Sequence, residues 1–80
     1  MSLKIDLSGP QGNAYYLMSM VNKLGAQLGI NPEKTNEIID EMKSSDYNNL
    51  LKTFAKNFGT IVELYKDGQL YTLESENINT

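Results

Sequence analysis

Apolar positions recur along this chain with two periods, and the switch from one to the other marks its elements. Leu3, Ile5 and Leu7 alternate with polar residues, which predicts a short strand with one buried face. Gly9-Pro10 and Gly12 end it. Leu17, Val21, Leu24 and Leu28, flanked by Ala14, Met18 and Met20, recur at helical spacing and predict a helix over about Ala14 to Leu28 with Asn13 as its N-cap. Gly25 interrupts that pattern at a cost of about 1 kcal/mol relative to alanine, which points to close packing there. Gly29 suits the left-handed C′ position.

Asn31-Pro32 starts a second helix, which should run to about Lys43 with a narrow stripe of Thr35, Ile38, Ile39 and Met42. Ser44-Ser45 breaks it, and one of these serines is expected to cap a third helix over about Asp46 to Phe58. Tyr47, Leu50, Leu51, Phe54, Ala55 and Phe58 make that helix the most regular amphipathic segment, and Gly59 is expected to close it as another left-handed glycine. Asp67-Gly68 between Ile61–Lys66 and Gln69–Leu73 predicts a hairpin on a two-residue type I′ turn. Its register follows: Lys66 opposite Gln69, Tyr65 opposite Leu70, Leu64 opposite Tyr71, and Val62 opposite Leu73. Val62, Leu64, Tyr71 and Leu73 then form the core face, while Ile61, Glu63, Tyr65, Leu70 and Thr72 form the other.

The resulting fold class is α+β, a single small domain over residues 1–80 in the order β-α-α-α-β-β. Three helices pack on a small antiparallel sheet that ends in the hairpin, and the N-terminal strand joins as a third strand. Residues 74–80 are polar and read as a frayed tail. Three helices followed by a hairpin also suggest a winged helix.

Composition narrows the chemistry. All seven cations are lysines, histidine, cysteine and tryptophan are absent, and the net charge is −3. The commonest general base, metal ligands and nucleophilic thiol are therefore missing, and the chain reads as a non-enzyme without cofactor or metal. Without arginine, nucleic acid is a poor partner. No signal peptide or membrane-spanning run is visible, so the expected setting is soluble and cytoplasmic.

Two features remain as candidate sites. The Ser8–Ala14 stretch joins a strand, a glycine turn and a helix N-terminus, where converging N–H groups can receive a phosphate or nucleotide; its candidate ligands are Ser8, Gly9, Gln11, Gly12 and Asn13. It lacks the P-loop spacing and the full dinucleotide fingerprint, and a plain capped turn is the competing reading. Tyr15, Tyr16, Tyr65 and Leu70 are candidates for a partner surface, because half-buried tyrosines suit interfaces. The Glu33, Glu37 and Glu41 row, with Asp40 beside it, reads as a solvated helix face. Lys52, Lys56 and the asparagines Asn48, Asn49 and Asn57 would face DNA if the third helix were a recognition helix.

The opening Lys4-Ile5-Asp6-Leu7-Ser8-Gly9-Pro10-Gln11-Gly12-Asn13-Ala14 resembles the start of a group of short proteins encoded by tailed bacteriophages. Asp40 to Tyr47 and Phe54 to Gly59 are also similar, and the likeness covers roughly residues 4–62. No activity is attached to that group, so no residue role carries over. The resemblance implies a small accessory protein made in the bacterial host cytoplasm, of a kind that often binds host factors or blunts host defence; the small core and the semi-exposed tyrosines and methionines point to a host or phage protein as partner, or to a homodimer.

Overall fold

The computed structural model describes residues 3–71. Their order is β1 (Leu3–Asp6), a 3-10 turn (Pro10–Gly12), α1 (Ala14–Leu28), α2 (Pro32–Met42), α3 (Tyr47–Phe58), β2 (Val62–Lys66) and β3 (Gln69–Tyr71). This is the α+β order that the hydrophobic pattern predicts. The expected Val62–Leu73 pair, Thr72 on the outer face and the tail over 74–80 lie outside the described residues.

Short-range hydrogen bonds bound the helices. Asn13 Oδ1 accepts the N–H groups of Tyr15 at 2.7 Å and Tyr16 at 3.2 Å, which satisfies two donors that the first turn of α1 would leave open. Gly29 closes α1 at φ 74°, where a side chain would be strained. Asn31 Oδ1 accepts the Glu33 N–H at 2.8 Å, with Pro32 at the first helical position of α2.

Two expected boundaries are corrected. Asp46, not Ser44 or Ser45, caps α3, accepting the Asn49 N–H at 2.9 Å. Its carboxylate also faces the positive end of the helix dipole, an advantage a serine lacks. Ser44 instead donates to the Glu41 carbonyl at 2.7 Å, at the end of α2. Gly59 is right-handed, at φ −64°, not a left-handed C′ residue. Its N–H still bonds the Ala55 carbonyl at 2.8 Å, and Ile61 N–H returns to Phe58 at 3.0 Å, so the chain tightens into β2 without a left-handed step.

The hairpin has the expected register, Leu64 with Tyr71, Tyr65 with Leu70, and Lys66 with Gln69. Asp67 and Gly68 take φ of 53° and 80°, the pair of positive values that a type I′ turn needs. The sheet, however, is mixed and not wholly antiparallel. Its order is β1-β2-β3, and β1 runs parallel to β2 with Leu3 beside Val62 and Ile5 beside Leu64. Parallel strands require a crossover, and α1, α2 and α3 supply it between β1 and β2.

Ile5, Val62 and Leu64 turn the inner face of the sheet toward the helices, and Leu17, Val21, Leu24, Ile38, Met42, Leu50, Leu51, Phe54 and Phe58 fill the space above it. The rings of Phe54 and Phe58 stand 5.4 Å apart and tilted. Two threonines are buried with them, Thr35 and Thr53. The Thr35 hydroxyl donates to the Pro32 carbonyl at 2.9 Å, which leaves its methyl pointing at α1.

That methyl explains Gly25. A Cβ at position 25 would overlap Thr35 Cγ2, so the glycine sets how closely α1 and α2 approach. Gly25→Ala is expected to destabilise the protein by about 1–2 kcal/mol in urea unfolding, because overpacking outweighs the helix-propensity gain of about 1 kcal/mol. Thr35→Ser removes the obstructing methyl, so the double variant should recover most of that loss. A Gly25→Ala protein as stable as the parent would show that the contact relaxes freely.

Among the described residues, no helix is long and apolar enough to cross a membrane.

Candidate functional site

The Ser8–Asn13 loop is braced from within. Asp6 Oδ1 accepts the Ser8 N–H at 2.9 Å, the Asp6 carbonyl accepts Gly9 at 3.3 Å, and the Gly9 carbonyl accepts Gly12 at 3.0 Å. Gln11 spans the loop: its Oε1 accepts the Asp6 N–H and its Nε2 donates to the Tyr16 hydroxyl, both at 3.3 Å. Ser8 Oγ accepts the Asp67 N–H at 2.7 Å and donates to Asp67 Oδ1 at 3.2 Å, clipping the loop to the hairpin turn 59 residues away. The Tyr47 hydroxyl, from the first turn of α3, donates to the Gly12 carbonyl.

The structure therefore brings Ser8, Gly9, Gln11, Gly12 and Asn13 together, but several of the donors there are engaged. The N–H groups of Ser8, Gly9, Gly12, Tyr15 and Tyr16 all bond inside the protein. The carboxylates of Asp6 and Asp67 both bond Ser8. A phosphate there would meet two carboxylates and five N–H groups already in use, so the geometry favours a braced turn over an anion cradle.

The four partner-surface candidates fall on three separate surfaces. Tyr65 and Leu70 pair across β2 and β3 on the sheet face turned away from the helices. There the Lys4 ammonium lies 5.9 Å from the Tyr65 ring centroid, and the Tyr65 hydroxyl donates to Glu63 at 3.1 Å. That bond to a carboxylate raises the Tyr65 phenol above its ordinary pKa, with desolvation and the Glu63 charge adding to it. Tyr16 is half-buried and lines a groove of about 460 Å³ with Leu3, Met20, Lys23, Leu24 and Ile61, between α1 and the starts of β1 and β2. Tyr15 is 80 % exposed and borders a different cleft, of about 350 Å³, at the start of α1.

That cleft combines apolar and polar lining. Met18, Met42 and Leu50 lie beneath, and Tyr47, Lys43 and Asp46 complete its rim. Tyr47 is 38 % exposed, and partial burial raises its phenol above the ordinary value. The periodicity placed Tyr47 on the apolar stripe of α3 and did not mark its place on this rim. Its position in the first turn, where a stripe meets solvent, was the available signal, since a tyrosine there can bury its ring and extend its hydroxyl.

Some members of the remaining polar rows have partners within the fold. Glu37 pairs with Lys34 at 3.9 Å and Glu41 with Lys56 at 3.6 Å, all on exposed side chains. Among the described residues, no group of three or more carboxylates, histidines or cysteines is placed to hold a metal ion. On α3, the Asn49 amide donates to the Glu41 carbonyl at 2.8 Å and the Asn57 amide to Thr53 at 2.8 Å. Those two asparagines brace the helices instead of presenting amides to bases, which leaves a thin nucleic-acid footprint.

Compared with family models, with curated proteins and with solved structures, the chain matches none.

Proposed function

We propose that this chain is a non-enzymatic accessory protein of a tailed bacteriophage that acts in the host cytoplasm by binding a host protein through the Tyr15–Met18–Tyr47 cleft. The observation that supports this reading most is the exposed aromatic pair over a methionine-floored cleft. Tyrosine and methionine are enriched at protein interfaces, and rigid aromatic anchors seated in pockets carry most binding energy. Tyr15 and Tyr47 sit in the first turns of capped helices and Met18 one turn further along α1, so their positions are set before a partner arrives.

Tyr15 gives a test separable from folding. Because it is largely exposed, Tyr15→Ala is expected to change stability by no more than about 0.5 kcal/mol. As an anchor, it should weaken capture of a lysate protein about thirtyfold, the effect of a hot spot of about 2 kcal/mol. Affinity capture with the parent and the variant, with the thermal midpoint followed in parallel, measures both. Capture unaltered by Tyr15→Ala and by Tyr47→Ala would remove the cleft from the binding surface. A dimer in gel filtration that Tyr15→Ala dissociates would assign the cleft to a second copy.

A further inference from the structure

The chain contains four methionines and no cysteine, so all of its sulfur is thioether. Met18, Met20 and Met42 lie among the described residues, and the fold gives them unequal access to solvent. Met42 is 1 % exposed and Met20 6 %, both within the core. Met18 is half-buried: it packs against the core from α1 and also lines the 350 Å³ cleft beside Tyr15 and Tyr47. Met42 lines the same cleft, yet almost none of its surface is open.

A thioether is apolar and polarisable, which suits the floor of a binding cleft. It is also open to oxidation by peroxides. The sulfur lone pair attacks one peroxide oxygen, the S–O bond forms as the O–O bond breaks, and the second oxygen leaves as water. Sulfur loses two electrons and the peroxide gains them. The sulfoxide is polar where the side chain was apolar. Under a partner, next to Leu50 and Met42, its oxygen would be buried without a hydrogen-bond donor of its own, which costs binding. With no cysteine in the chain, no thiol competes for the oxidant.

We propose that Met18 is a site of reversible oxidation by hydroperoxides, and that its sulfoxide switches off binding at the Tyr15–Met18–Tyr47 cleft. The switch rests on the cleft being the binding surface. The selectivity for Met18 rests on exposure alone.

The full chain is treated with hydrogen peroxide, and oxygen uptake at each methionine is followed by peptide mass mapping. Met18 is expected to oxidise about tenfold or more faster than Met20 and Met42, because a buried sulfur is reached only when the fold opens locally. Equal rates at the three positions would overturn the assignment. Capture from lysate is then compared before and after treatment, in the parent and in Met18→Leu, a substitution that nearly keeps the side-chain volume. Treatment should weaken capture by the parent about tenfold, and a methionine sulfoxide reductase should restore it. Capture by Met18→Leu should be the same before and after treatment. The comparison is made within each variant, so any effect of the leucine itself cancels. An equal loss in both would assign the effect to another methionine and overturn the switch. If Tyr15→Ala weakens capture and oxidation of Met18 does not, the cleft stands and the switch falls. If neither weakens it, the cleft reading fails and the switch with it, while the oxidation rates still decide the Met18 site.

Discussion

Phe54→Ala is expected to lower the unfolding free energy by about 3–5 kcal/mol, the largest effect of any single truncation in this fold. Phe54 is fully buried, and its ring packs against Phe58 in the middle of α3, the helix that contacts α1, α2 and β2. Removing it deletes the apolar surface at the point where the helical layer meets the sheet and leaves a cavity bounded by capped helices that cannot easily close. A chain of 80 residues ordinarily has about 4–12 kcal/mol in total, so the variant should lose a quarter or more of its stability. Urea titration followed by circular dichroism would measure it, with Phe54→Leu as the control that keeps most of the volume and should cost about 1.5 kcal/mol or less. A loss below about 1 kcal/mol for the alanine variant would mean that the helices collapse into the cavity.

Gly12→Ala should cost about 3 kcal/mol, for a different reason. A Cβ at position 12 would overlap the Leu7 backbone. A flexible side chain can swing away from an added methyl, but Leu7 cannot, because its N–H is bonded to Tyr65 in the parallel ladder. Gly12 is held from its own side as well, by its N–H on Gly9 and by the Tyr47 hydroxyl on its carbonyl. Loss of stability should be accompanied by faster hydrogen exchange at the Leu7 and Gly12 amides, which locates the damage in the loop. A Gly12→Ala protein within about 0.5 kcal/mol of the parent would show that the loop and β1 separate without penalty. Because Gly12 is this tightly packed, its substitution cannot probe ligand binding by the loop. Ser8→Ala removes one hydroxyl without a steric conflict and is the cleaner probe there.

The two residues illustrate what was legible before the structure. Phe54 follows from the period of α3, since its neighbours at three and four residues are apolar and only one helix face can be buried. Gly12 was legible as a turn residue but not as a contact. None of its dihedrals demands glycine, and the contact is with a residue five positions earlier whose placement depends on β1 joining β2. The candidate site divides in the same way. The loop was identified, yet the internal use of its N–H groups depends on Gln11 reaching back to Asp6 and on Ser8 reaching Asp67. The Tyr15 cleft and the α1–β1 groove were not legible as surfaces, because each joins segments that are far apart in the chain.

What the amino-acid sequence determined by itself is local. The Asn13 and Asn31 caps, the left-handed Gly29, and the Asp67-Gly68 turn with its register all rest on pairs of residues at most seven apart. Such interactions need no knowledge of the rest of the chain, so composition and spacing suffice to read them. Only the tertiary structure decided the parallel pairing of β1 with β2, the Ser8–Asp67 clip and the packing of Gly25 against Thr35. Those depend on where the three helices return the chain in space, and no window of a few residues contains that path.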